Sequence, residues 1–216
     1  GSRTDRNFFQ IFSTMITSKT SFLALIGNPV KHSLSPIIQN AAIKYLGLDL
    51  IYIAIPCKNE DLEIVVNSLK KMNCKGLNIT IPFKQKVFNY CNEISGVAKK
   101  VKAINTLKLQ KNKEWSGTNT DIDGFIYPLK KLDLIEKTSI VLGSGGAARS
   151  VIQGLINLKL SKITIISRNK NSLNELITNF ENDVKIEGIV NTNIEIDDLI
   201  QETDLIVNTT PVGMSK

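Results

Sequence analysis

The chain has 216 residues, 42% hydrophobic and 22% charged, a size and composition that suit one or two globular domains with a true core. Its formal charge is +7, yet the basic residues (Lys70, Lys71, Lys99, Lys100, Lys102, Lys130, Lys131) are scattered among acids with no aromatic-interleaved stripe. That pattern argues against a nucleic-acid partner and fits a surface that favours small anions. With no apolar run of about 18 residues, no membrane span is expected.

Residues 1–20 read as a cloning scar followed by a polar arm, without the apolar core of a signal peptide. The chain is therefore expected to be cytoplasmic. Phe22–Ile26 is a short apolar strand that ends in a Gly27-Asn28-Pro29 turn. In His32-Ser33-Leu34-Ser35-Pro36, Ser35 before Pro36 reads as a helix N-cap. Ser33 and Ser35 also alternate on one side of an extended segment, which makes them a convergent hydrogen-bonding pair. Helical spacing over Pro36–Leu46 runs through Ile37, Ile38, Ala41, Ala42 and Tyr45, and Leu50–Ile55 is a strand closed by Pro56. Cys57, Cys74 and Cys91 are too widely spaced for a zinc site and odd in number, so they read as reduced packing thiols.

Asp61–Met72 carries a helical stripe of Leu62, Val65, Val66 and Leu69. Gly76–Thr80 is a strand stopped by Pro82, with Asn78 and Thr80 on one face and Lys84 just beyond it. Ligands bind at such strand ends in α/β sheets. Ala103–Leu109 is predicted as a strand bearing Asn105 and Thr106, reaching Trp115 after a Lys-Asn-Lys turn. In Gly117–Gly124, Thr120 or Asp121 reads as the cap of a helix over Asp121–Leu132. Alternatively, Asp121 and Lys84 form a proton-transfer pair in one pocket. The boundary is expected in Lys130–Lys137, giving a substrate domain over 21–132 and a dinucleotide domain over 133–216.

Beyond Thr138, strands and helices alternate: Ser139–Leu142, Ala147–Leu158, Lys162–Ser167, Asn171–Phe180, a short strand near Val184–Ile186, a helix near Ile196–Gln201, and Asp204–Asn208. This predicts an α/β protein whose doubly wound, mostly parallel sheet is covered on both faces. Gly143, Ser144, Gly145, Gly146 and Ala147 form a strand-to-helix turn of the kind that cradles a pyrophosphate against a helix N-terminus. At the end of the second strand stand Ser167, Arg168, Asn169 and Lys170, with no acid to bind a ribose 2′-hydroxyl. Two cations there suit a 2′-phosphate, so NADP is the expected cofactor. His32 is the sole histidine and no acid cluster has ligand spacing, so no metal is expected.

Taken together, these motifs resemble those of the shikimate dehydrogenase family. His32–Pro36 is similar to its carboxylate loop and Asn78–Lys84 to its Asn-x-Thr-x-Pro-Phe-Lys segment. Ala103–Leu107, Asn119–Gly124, the Gly-Ser-Gly-Gly-Ala-Ala turn and Asn208–Met214 continue the series, so that the resemblance runs from Leu25 to the last residue. It implies an α/β substrate domain facing a Rossmann domain across a cleft, and reversible reduction of 3-dehydroshikimate with NADPH. Ser33 and Ser35 would hold the substrate carboxylate, Thr80, Asn105 and Asp121 the ring hydroxyls, and Lys84 would carry the proton. NADP-binding forms often have a further arginine where Ser172 stands. The family's closing segment, which returns to the first domain with a glutamine, would follow Lys216; a chain ending there is expected to be weakly active and prone to aggregate. An NAD-using quinate/shikimate dehydrogenase and a catalytically silent NADP-binding regulator stay open as alternatives. The partner is a small-molecule substrate, and the assembly a monomer or homodimer.

Overall fold

The computed structural model describes residues 16–190 and 197–213. The expected N-terminal arm up to residue 15, Ile196 of the expected helix, and Met214 lie outside the described residues. The chain divides into two compact units: residues up to Ser95 with Ile104–Thr118, and Gly96–Ala103 with Asn119 onward.

The first unit holds β1 (Ser21–Gly27), α1 (Ser35–Tyr45), β2 (Leu50–Pro56), α2 (Leu62–Lys71), β3 (Gly76–Ile79), a 3₁₀ turn (Lys86–Tyr90), β4 (Glu93–Ile94), β5 (Thr106–Leu109) and β6 (Trp115–Thr118). Among the described residues its sheet runs β2-β1-β3-β5-β6-β4. β1 pairs in parallel with both β2 and β3, and its second half, Ala24–Gly27, is continuously buried. A continuous run suits a central strand covered on both faces. One covering layer is α2, whose predicted stripe buries Leu62, Val66 and Leu69.

The structure adds to the sequence reading in the direction and start of β5 and in the face that α1 buries. Among the described residues three of its five strand pairs are parallel, in keeping with the expected α/β sheet, while β5 pairs antiparallel with both β3 and β6. The cause is the tight turn at 110–114, closed by Gln110 N–H to Glu114 O at 2.9 Å with Lys113 at φ 63°. So short a link can join only antiparallel strands. Strand pairing also begins at Thr106, not Ala103.

Helix α1 forms where its spacing predicts, but the apolar residues of that spacing do not mark its inward face. Ile37, Ile38 and Tyr45 are exposed, and Ile43 is the residue the helix buries. Its orientation is set by a polar contact: Asn40 Nδ2 donates to Tyr52 O at 2.8 Å and Asn40 Oδ1 accepts from Tyr52 N at 2.9 Å. β2 is an edge strand, so these backbone groups have no further strand to pair with, and the amide satisfies them.

The second unit holds α3 (Gly96–Val101), α4 (Asp121–Leu129), β7 (Thr138–Leu142), α5 (Gly146–Asn157), β8 (Lys162–Ser167), α6 (Lys170–Phe180), β9 (Lys185–Val190), α7 (Asp197–Gln201) and β10 (Leu205–Asn208). Its sheet, β10-β7-β8-β9 among the described residues, is parallel throughout. Both units are α/β, and the second has the doubly wound order predicted from the sequence.

The expected boundary within Lys130–Lys137 falls inside this unit, because α3 and α4 pack here. Val101, Ala103 and Ile122 share one core with Ala148, Ile152, Leu155, Ile163 and Leu173, and Phe125, Ile126 and Leu129 pack against it. Gly154 permits the close approach of α4 to α5, since a Cβ there would stand 2.6 Å from Phe125 Cδ1.

Candidate active site

In the first unit, five predicted residues gather at one end of the sheet. β1 and β3 are parallel, so their carboxyl ends coincide; β5 runs the other way and begins at that same end. Ser33 and Ser35 follow β1, Thr80 and Lys84 follow β3, and Asn105 immediately precedes β5. The backbone stitches the group together: Ile79 N–H donates to Asn105 O at 2.8 Å, Thr80 N–H to Ile26 O at 2.9 Å, and Ile104 N–H to Lys84 O at 2.7 Å. Gly27 is obligatory at this crossing, because a Cβ would meet Thr80 Cγ2 at 2.2 Å.

The serine pair departs from the capping expectation. Ser35 is the first residue of α1, Leu34 holds the cap position, and no side chain caps there. Ser33 Oγ instead accepts Ser35 N–H at 3.2 Å and donates to Ser35 Oγ at 3.1 Å. Ser33 thus closes the turn. Among the described residues no acceptor takes the Ser35 hydroxyl proton, which suits an incoming carboxylate.

Asn105 is buried, and its surroundings include residues that the sequence reading left without a role. Thr106 Oγ1 donates to Asn105 Oδ1 at 2.9 Å, and Asn78 Nδ2 donates to Thr106 Oγ1 at 3.3 Å. Tyr52 O–H donates to Asn78 Oδ1 at 2.8 Å. Burial pushes the Tyr52 hydroxyl up to about 12, so it stays a neutral donor. The sequence signal for this chain was present in the alternation of Asn78 with Thr80, but the partners come from distant strands.

Asp121 belongs to the second unit. Its N–H donates to Asn119 Oδ1 at 3.0 Å, while Asn119 Nδ2 donates to Ala103 O and to Ser150 Oγ, both at 2.9 Å. Asn119, not Thr120, therefore holds the start of α4, and Asp121 sits in its first turn. Lys84 and Asp121 thus come from different units.

The residues expected to hold the cofactor also lie in the second unit, at the carboxyl ends of parallel strands. Gly143–Ala147 follow β7, Ser167–Lys170 close β8, and Thr209–Gly213 follow β10. The strand order reverses between β7 and β10, which is where dinucleotides bind in such sheets. Gly143 has φ +106°, and a Cβ on it would meet Thr209 Oγ1 at 2.6 Å. Gly145 is different: a Cβ there would meet no protein atom within 4 Å. That glycine answers no packing need of the chain and leaves open the space before the first N–H groups of α5. The residues therefore fit a bound pyrophosphate.

Three hydroxyls converge beside it. Ser144 Oγ lies 2.7 Å from Ser167 Oγ and 2.6 Å from Ser172 Oγ. Asn169 caps α6, accepting Ser172 N–H at 3.0 Å. Arg168 and Lys170 are exposed. The buried Arg149 guanidinium donates to Glu175 Oε1 at 2.7 Å; desolvation lowers its pKa and the glutamate counters this. Among the described residues no histidine, cysteine and carboxylate cluster could hold a metal, and no helix is long and apolar enough to cross a membrane.

The chain is similar in sequence and fold to known proteins. Residues 25–107 match the model of the shikimate dehydrogenase substrate binding domain. Shikimate dehydrogenase (NADP(+)) of Prochlorococcus marinus subsp. pastoris is 84% identical over 201 residues, which cover 93% of this chain and 70% of that protein. The crystal structure of shikimate dehydrogenase from Aquifex aeolicus superposes with a TM-score of 0.84 at 36% identity, covering 94% of this chain and 73% of that one. A shikimate dehydrogenase solved in complex with NADP+ gives a TM-score of 0.78 at 34% identity, over 93% and 70%. The chain belongs to the shikimate dehydrogenase family.

Proposed function

We propose that the protein catalyses the reversible reduction of 3-dehydroshikimate to shikimate with NADPH. The observation that carries this reading is the gathering of Ser33, Ser35, Thr80, Lys84 and Asn105 at one sheet end. A carboxylate needs hydrogen-bond donors, and the Ser35 hydroxyl with the Ser33 turn supplies them. Ring hydroxyls need partners that give and accept: Thr80 and Asn105 do both, and the Asp121 carboxylate accepts.

When bound, NADPH supplies the hydride that reaches the carbonyl carbon. Lys84 as ammonium gives its proton to the carbonyl oxygen as the alkoxide develops, and as neutral amine takes it back in the oxidation direction. Positioned acid–base help of this kind contributes roughly 10²–10⁴-fold. Asp121, a carboxylate in the first turn of α4, is the residue of the second unit assigned to accept a substrate hydroxyl. Gly143–Ala147 receive the pyrophosphate, and Arg168 with Lys170 read the 2′-phosphate through charge-assisted bonds.

The substrate is a small molecule, and the reading requires no nucleic acid. It places the enzyme in the cytoplasm, where its three free thiols stay reduced, as a monomer or a homodimer. The test is whether the purified protein oxidises shikimate with NADP+. Oxidation with NAD+ in preference would favour the quinate/shikimate alternative, and no oxidation with either would favour a silent binding protein.

A further inference from the structure

We propose that a closed circuit of hydroxyls through Ser144, Ser167 and Ser172 sets the preference for NADP over NAD, by fixing the loop that carries Arg168 and Lys170. The inference rests on the cofactor reading above and deepens it.

The direction of each bond follows from the groups at the two ends. Ser172 Oγ donates to Asn169 O at 3.2 Å, so its single proton is committed. Ser144 must then donate across the 2.6 Å contact to Ser172, and Ser167 across the 2.7 Å contact to Ser144. Ser167 Oγ in turn accepts Asn169 N–H at 3.3 Å. The chain of donors thus starts and ends on the Asn169 backbone and passes through the glycine-rich turn. Ser144 and Ser167 are buried, at 7% and 8% exposure, so water does not compete for these bonds.

Arg168 and Lys170 make no ion pair with any carboxylate among the described residues. Among the described residues no partner holds either cation in place, so its position is that of the backbone carrying it. Two neighbouring cations also repel each other. A loop anchored at Asn169 keeps both aimed at the end of β8; a loop released from Ser144 does not.

The glycine-rich turn has separate supports. Gly143 N–H donates to Ile166 O at 2.8 Å, and Thr209 Oγ1 donates to Leu142 O at 2.6 Å. Breaking the circuit therefore loosens the 2′-phosphate loop more than the pyrophosphate turn that both cofactors share.

The experiment measures dissociation constants for NADP+ and NAD+ by calorimetry on the parent, Ser172→Ala, Ser144→Ala and Arg168→Ala proteins. Ser172→Ala is expected to lower the NADP+/NAD+ affinity ratio about five- to tenfold, up to about 1.4 kcal/mol, with NAD+ binding within about twofold of the parent. Ser144→Ala should lower the ratio comparably, and the double variant should be no worse than either alone, since one break opens the whole circuit. An unchanged ratio in Ser172→Ala and Ser144→Ala, or an equal loss for both cofactors, overturns the proposal. Arg168→Ala separates the two levels. If it collapses the ratio while the serine variants do not, the circuit alone is rejected; if it leaves the ratio intact, the reading of the 2′-phosphate site fails with it.

Discussion

The Ser33 hydroxyl commits its acceptor to Ser35 N–H and its proton to Ser35 Oγ, so on the proposed reading Ser33 serves structure and Ser35 binding. Ser33→Ala should cost about 1 kcal/mol of stability, the value of a helix-start hydrogen bond. Ser35→Ala should leave the melting temperature nearly unchanged and raise the shikimate KM; a lowered melting temperature with unaltered KM would return Ser35 to a purely structural role. On the proposed reading, Arg168→Ala removes a charge-assisted contact worth roughly 1.5–3 kcal/mol, so NADP+ should bind about 10- to 100-fold more weakly, and the loss should shrink at high salt because Arg168 is exposed. Titration with both cofactors at two ionic strengths checks this. The proposal for Arg168 could be framed from the sequence because it depends on a local fact, the missing acid at the end of β8. The roles of Tyr52, Asn78 and Asn119 were not, because each acts through partners far away in sequence, such as Thr106 for Asn78 and Ser150 for Asn119.

α4 shows how packing between elements overrides a boundary drawn from motifs. Its residues Ile122, Phe125, Ile126 and Leu129 belong to the same core as α5, and Gly154 gives Phe125 room. Gly154→Val should therefore overpack the contact, at a cost of about 1–3 kcal/mol. Chemical denaturation would show it as a lowered midpoint with an unchanged slope; a wild-type midpoint would mean the two helices separate freely. The strands and helices of the second unit were readable because parallel βαβ units repeat one local pattern. In the first unit the antiparallel β5–β6 pair escaped, since a short apolar run does not declare its direction. Helix α1 itself was legible, but its inward face was not. Its apolar residues occupy several faces, and the inward one is chosen by the Asn40 amide docking on the edge of β2.

For the molecule as a whole, burial leaves an alkaline signature. Desolvation raises the Cys74 and Cys91 thiols from the usual 9.0 to about 11. Between those values the unfolded chain releases protons that the folded chain keeps. Their contribution to stability is therefore full below pH 9 and is lost as pH rises through about 11. Melting temperature should decline over that window, and less steeply in Cys74→Ala or Cys91→Ala; an identical decline in both variants would assign it to other groups. The account as a whole stands on Lys84 moving a proton to and from the substrate at the sheet end where Ser33, Ser35, Thr80 and Asn105 gather. The measurement that tests it most directly is steady-state oxidation of shikimate with NADP+ by the parent and Lys84→Ala proteins. The account predicts that kcat falls by at least about 100-fold while the shikimate KM changes far less. A variant with near-normal kcat would contradict it.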